Sequence, residues 1–204
     1  MTKININKDF KKYIQAFLNE NSKINLMSKN DEKLLYEKHV YDSLGIKLFF
    51  EKLDNLPKTL LDIGTGGGFP SIPIAIEYPE IKVTGIDSIQ KKINAITNIA
   101  KELDLKNIEF IRDRVENIKD KKFDIITSRA VAQTSLLIEY AYPLLNNGGY
   151  IVLYKSKTAE EELQNAKPLI RKLHLKIKEI INYDLPLEEN HQRCLVILEK
   201  TVWK

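Results

Sequence analysis

The chain is expected to fold as an α/β protein, a doubly wound, mostly parallel seven-stranded sheet with an N-terminal helical extension. Three observations predict this. Short apolar runs alternate with amphipathic stretches from residue 57 onward, the pattern of β-α units that build a parallel sheet covered on both faces. The first apolar run breaks into four glycines, Gly64, Gly66, Gly67 and Gly68, at the carboxyl end of a strand, where open α/β sheets bind ligands. The second run ends on an acidic residue, Asp87, 25 positions after Asp62, about one strand-helix-strand unit.

The elements follow in order. Phe10, Tyr13, Ile14, Phe17 and Leu18 fall on one helical face. A polar break is expected at Asn19–Ser22, then a second helical region from Asn30, read as its N-cap, to Leu53. Strands are expected at Thr59–Ile63, Lys82–Ile86, Asn107–Ile111, Phe123–Thr127 and Tyr150–Tyr154, with a helix at Ile89–Leu103 whose Ile89, Ile93, Ile96, Ala100 and Leu103 form an apolar stripe. A last helix, Ala159–Leu173, precedes two strand-like runs, Leu175–Tyr183 and Gln192–Glu199, that fit an antiparallel hairpin. The acidic run Ala159–Glu162 reads as an exposed first turn, favoured there by the helix dipole. Residues 1–56 are expected to pack as a helical extension on a single unit spanning 57–204.

Composition narrows the function. At 204 residues and 43% apolar content, the chain can bury a sizeable core. No run approaches the roughly 18 apolar residues that cross a bilayer, and the first ten residues lack the apolar core of a signal peptide, so a cytoplasmic protein without a membrane partner is expected. One cysteine, Cys194, excludes a disulfide framework and a multi-cysteine zinc site, and no metal is expected. The net charge of +4 lies in the flanks, weak support for an anionic partner.

The glycine-rich segment Leu60–Pro70, LLDIGTGGGFP, discriminates among ligands. A phosphate loop needs a lysine after its last glycine, and none follows. The dinucleotide fingerprint G-x-G-x-x-G fails from both starts, since the third slot is Phe69 or Ser71. What fits is acidic-x-G-x-G-x-G on Asp62, Gly64, Gly66 and Gly68, the first motif of doubly wound, Rossmann-like (class I) methyltransferases that use S-adenosyl-L-methionine. Such a loop admits a carboxylate, an amine and a sulfonium beside the backbone, because glycines carry no Cβ. Asp87 suits the ribose, a carboxylate offering acceptors to two vicinal hydroxyls; it also reads as an N-cap for the helix beginning near Ile89.

The end of the fourth strand bears on the acceptor. The slot reads Thr127-Ser128-Arg129-Ala130-Val131, unlike the Asn/Asp-Pro-Pro-aromatic of enzymes that methylate exocyclic amines. Carbon methylation needs a cysteine nucleophile, and Cys194 falls in the last strand, away from the sheet's carboxyl edge. An acceptor with an exposed lone pair needs neither device, only alignment and desolvation. Guanine N7 is one, and an arginine beside it can hydrogen-bond O6.

These residues resemble those of the RsmG (GidB) family of bacterial 16S rRNA guanine-N7 methyltransferases. The resemblance spans nearly the whole chain: Asn25-Leu26, His39-x-x-Asp42-Ser43-Leu44, Asp62 to Pro70 with Ile72-Pro73, Asp87-Ser88, Lys91-Lys92, Arg114 with Glu116, Ser128-Arg129-Ala130-Val131-Ala132, Gly148-Gly149, Lys155 and Arg193. Two positions depart from the family pattern, Ser71 and Ser156, where glycine is usual; the first is expected to crowd the helix start. The resemblance implies S-adenosyl-L-methionine as cofactor and, as partner, 16S ribosomal RNA or a small-subunit assembly intermediate. Gly64 and Phe69 would line the cofactor pocket, Val115 and Glu116 would hold the adenine, and Arg129 would sit where cofactor and guanine meet. Lys155 is assigned with Arg129 to catalysis, and His39, Asp42, Ser43 and Arg193 to the substrate. Asp62, Gly66, Gly68 and Asp87 are assigned to the cofactor from the motif itself.

Plainer readings stand beside these. His39 also reads as a surface or capping histidine, Arg129 as one half of an ion pair, and Lys91 and Lys92 as solvated helix lysines. A methyltransferase for a small molecule or protein, an NAD-dependent oxidoreductase and a non-catalytic RNA-binding domain remain as alternative functions.

Overall fold

The computed structural model describes residues 4–129, 133–156, 159–188 and 191–201. Ala130, Val131 and Ala132, part of the family-like segment after Arg129, lie outside the described residues. Seven strands form one sheet in the order β3-β2-β1-β4-β5-β7-β6: β1 Thr59–Ile63, β2 Lys82–Asp87, β3 Ile108–Arg112, β4 Phe123–Arg129, β5 Leu145–Lys155, β6 Leu175–Asp184 and β7 Gln192–Lys200. The first five run parallel, and β7 is antiparallel to both β5 and β6. Strand order reverses between β1 and β4, and a crevice opens there outside the carboxyl ends. Ile63 pairs with Ile86 and with Ser128, so Gly64, Asp87 and Arg129 leave the sheet side by side.

Each strand covers its expected apolar run, though β5 begins five residues earlier than expected, at Leu145. Leu60, Leu61, Asp62 and Ile63 are all buried, as expected for a central parallel strand covered on both faces. Helices α5 (Ser71–Glu77) and α6 (Gln90–Glu102) follow the first two strands, and α7 (Thr134–Ala141) and α8 (Ala159–Lys172) flank β5. In α6 the buried set is Ile93, Ala95, Ile96, Ile99 and Ala100. Ile89, expected on that stripe, is 40% exposed instead. The acidic run opening α8 is not simply exposed: Ala159 is buried and Glu162 is bonded inward.

The N-terminal region departs from expectation. Helix α1 spans Lys11–Ile24 without a break at Asn19–Ser22; there Asn21 is fully buried, its amide bridging to the carbonyl of Met27 and to Glu32. The cap of the next helix, α2 (Lys29–Glu32), is Ser28, whose hydroxyl accepts from the Asp31 N–H at 3.2 Å, and not Asn30. The continuous helix expected to Leu53 is four short pieces after α2. A π turn at Leu35–Val40 is followed by α3 (Tyr41–Ser43), a 3₁₀ turn at Leu44–Ile46 and α4 (Lys47–Phe50). The π turn, in which the Tyr41 N–H bonds the carbonyl of Tyr36 five residues back, rotates the faces downstream of it. The N-terminal side chains Phe10, Tyr13, Phe17, Leu44 and Phe49 join one hydrophobic cluster with Leu60 of β1, Ile72 of α5 and Ile96 of α6. Lys47 and Glu77 form an ion pair inside that interface, with side chains 6% and 1% exposed.

Candidate active site

Beyond β1 the chain turns through Gly64, Gly66 and Gly68, all with left-handed φ. Gly68 shows why glycine stands there: at φ +86, a Cβ would also lie 2.6 Å from Ile72 Cδ1. The N–H groups of Gly64 and Thr65 both bond the Ile86 carbonyl at 2.9 Å, tying the loop to β2. Ser71 does not crowd the helix start. Fully buried, it shares a 2.5 Å hydrogen bond with the Thr65 hydroxyl, which clasps the loop closed.

Asp87 spends one oxygen on the Gly66 N–H at 3.0 Å and the other on the Ile89 N–H at 2.9 Å. Asp87 is therefore not the N-cap: α6 begins at Gln90 and its N-cap position is Ile89, with no side-chain cap. Two backbone donors leave the carboxylate with free lone pairs for two hydroxyls. Beside it lies a cavity of about 380 Å³ lined by Gly64, Asp87, Val115, Glu116 and, unexpected from sequence, Ile89 and Tyr140. Partial burial and the neighbouring Glu116 raise the pKa of Tyr140. Ile89 and Tyr140 carry no motif; the place of Ile89 at the end of the apolar stripe, two residues after Asp87, was the available signal for Ile89. Apolar walls with a carboxylate at each end suit a flat heterocycle and its ribose.

Asp62 is buried at the other side of the loop. One oxygen accepts from Thr127 Oγ1 at 3.3 Å, and Oδ2 has no hydrogen-bond partner. Burial pushes its pKa up to about 6, against hydrogen bonding and the nearby positive charge of Arg129. An orphaned carboxylate oxygen under a glycine loop fits a ligand's ammonium group. The residues present therefore fit S-adenosyl-L-methionine.

A second cluster gathers around Arg129 at the end of β4. Its Nη1 donates to Asp42 Oδ2 at 3.1 Å, its Nη2 meets His39 Nδ1 at 3.1 Å, and the guanidinium stacks on Phe69. The ion pair is real, yet together with the His39 contact it consumes only two of five donors. Phe69, expected to line the cofactor pocket, is buried against Tyr13, Phe17 and His39 and carries Arg129 on its ring. His39 is half-buried, not a surface residue; burial and Arg129 lower its pKa to about 4, so it stays neutral. Ser43, expected at the substrate, is fully buried and donates to the His39 carbonyl at 2.6 Å, because the turn at Leu35–Val40 faces it inward.

The hairpin changes two expectations. Because β7 runs antiparallel, a residue near its start lies at the carboxyl edge: Cys194 pairs with Lys155, not away from that edge. The thiol is buried and its pKa raised, so it is no ready nucleophile. The same geometry brings Arg193 Nε to 3.9 Å from Asp42 Oδ1. Lys155 is held by Glu162 of α8 at 2.6 Å, which also accepts from the Thr134 hydroxyl at 2.7 Å. Among the described residues no group of three or more His, Cys, Asp or Glu side chains is arranged to hold a metal ion, and no helix is long and apolar enough to cross a membrane.

Comparison with known proteins matches residues 6–191 to the family model "rRNA small subunit methyltransferase G". The chain belongs to this family. It is 40% identical over 195 residues to a ribosomal RNA small subunit methyltransferase G of Staphylococcus epidermidis, covering 94% of this chain and 80% of that one. A protein of the same name from Leuconostoc citreum is 34% identical, with 94% and 81% covered. Solved structures agree on the fold. The plantazolicin methyltransferase BpumL, in complex with SAH, superposes with a TM-score of 0.64 at 18% identity, over 93% of this chain and 94% of that one. A methyltransferase from Pyrococcus furiosus gives 0.62 at 20% identity, over 78% and 83%. As a member of the rRNA small subunit methyltransferase G family, the chain is a methyltransferase with the class I fold.

Proposed function

We propose that the protein uses S-adenosyl-L-methionine to methylate N7 of a guanine in 16S ribosomal RNA, with naked RNA or a small-subunit assembly intermediate as substrate. The observation that carries the reading is Arg129, fixed at the end of β4 beside the glycine loop of β1 with donors to spare. Bound in the crevice, the cofactor supplies a methyl group activated by a sulfonium.

The chain's own residues then divide the work. Asp62 receives the ligand's amine, Asp87 the ribose hydroxyls, and Val115, Glu116, Ile89 and Tyr140 enclose the adenine. Arg129 directs its remaining N–H groups at guanine O6 and so aligns N7. N7 carries no proton at neutral pH, so no side chain is needed as a general base. Methylation leaves a cationic purine; rate then depends on alignment. Lys155 and Arg193, at the same edge of the sheet, supply positive charge toward the RNA backbone. A cytoplasmic location follows from a ribosomal substrate.

The test is to incubate the purified protein and labelled cofactor with 16S rRNA made without modified bases, and to map the product. Label at a single guanine N7 is expected. Label absent from RNA but present on a protein or small molecule overturns the assignment.

A further inference from the structure

Asp42 is engaged from three directions. Oδ2 accepts from Arg129 at 3.1 Å, while Oδ1 accepts from the Tyr183 hydroxyl at 2.7 Å and stands 3.9 Å from Arg193 Nε. These partners come from β4, β6 and β7, whereas Asp42 comes from α3 in the N-terminal region. The carboxylate is 4% exposed and Tyr183 is 2% exposed, so water does not substitute for either. The hydroxyl end of the Tyr183 ring packs close against Gly45: a Cβ there would stand 2.7 Å from Cζ and 2.8 Å from the hydroxyl oxygen. A neighbouring clamp works on the backbone, where the Tyr154 hydroxyl donates to the Ser43 carbonyl at 2.6 Å.

We propose that Tyr183 is a positioning residue that, by fixing the Asp42 carboxylate, holds the Arg129 guanidinium in the orientation methyl transfer requires, and that residue 45 is glycine to let that ring through. The inference rests on the reading of Arg129 given above. Without the phenol, the carboxylate has one hydrogen bond, from Arg129 at 3.1 Å, and a looser charge contact with Arg193 at 3.9 Å, so it is free to turn about its own bond and carry the long Arg129 side chain with it. A phenol is a neutral donor: it locks one oxygen without competing for the charge that pairs with Arg129. Burial and the neighbouring Asp42 keep Tyr183 protonated, its pKa raised well above the ordinary value. The device also makes the N-terminal region and the last hairpin joint supports of one side chain.

The test compares parent and Tyr183→Phe, which keeps the ring and removes only the donor. Two readouts are taken: kcat and KM on 16S rRNA, and the ¹⁵N resonances of the Arg129 side chain. Expected are a fall in kcat of about tenfold, the loss of one hydrogen bond to a charged group, an unchanged KM for the cofactor, and averaging of the separate Arg129 Nη signals. Gly45→Ala, which displaces the ring, is expected to give the same kcat loss, with little added when combined with Tyr183→Phe. A parent-like kcat, or Arg129 signals as sharply resolved as in the parent, overturns the proposal, even where thermal stability drops. Should the parent fail to methylate 16S rRNA, the functional reading falls, and the Arg129 resonances alone still decide whether Tyr183 pins the arginine.

Discussion

The Arg129 guanidinium lies 5.1 Å from the centroid of the Phe69 ring, so the last residue of β4 rests on the tip of the glycine loop that follows β1. The glycine loop and the Arg129 guanidinium are therefore one packed unit. Truncating Arg129 to Ala is expected to cut methylation of 16S rRNA by at least about a hundredfold. Cofactor affinity should change far less, and single-turnover rates at saturating cofactor separate the two. Turnover equal to the parent's would remove Arg129 from the reaction.

Asp62 makes the site sensitive to pH. Its folded pKa, about 6 against 3.8 in a model peptide, lies above the unfolded value. Its stabilising contribution is thus full below about pH 3.8 and lost as pH rises through about 6. Asp62→Asn should gain stability over the parent across that window, reaching about 3 kcal/mol, while losing affinity for the cofactor. Urea unfolding at several pH values measures the first and calorimetry the second.

His39 works with the opposite sign. With a folded pKa lowered from 6.5 to about 4, it binds a proton less readily than the unfolded chain does. Stability from this group is full above about pH 6.5 and is lost as pH falls toward 4. The acid limb of the parent's stability curve should therefore flatten in His39→Gln, and an unaltered limb would count against a buried neutral imidazole.

Lys47 and Glu77 hold the N-terminal region to α5 from inside the core. Lys47→Ala strands a buried carboxylate that also takes the Asn7 N–H at 3.1 Å, and should cost about 3–5 kcal/mol. Replacing both partners by Met and Leu should recover most of that loss. Denaturant midpoints of the three variants decide it.

The strands and the glycine loop were legible because apolar runs bounded by Gly, Asp and Pro leave one arrangement, and Asp62, Gly64 and Asp87 sit where that arrangement needs them. The segment from Asn30 to Leu53 was not. Its helical character was expected, but not its division into π and 3₁₀ pieces, which bring Asp42 to Arg129. Cys194 was misplaced because its position depends on the direction of β7, which periodicity does not encode. Tyr183 and Gly45 escaped notice for a related reason: 138 positions separate them in sequence, 183 minus 45, and neither belongs to a motif. Ile89 could have been found, had its place at the end of the apolar stripe been weighed against the carboxylate two residues earlier.

The hydroxyl clasp between Thr65 and Ser71 reaches beyond geometry. A loop already rigid before its ligand arrives surrenders little freedom on capture, so uptake should carry a small entropic penalty. Opening the clasp with Ser71→Gly would transfer that ordering to the moment of binding, and a temperature series of dissociation constants would register the change as a larger unfavourable entropy at the same set of contacts.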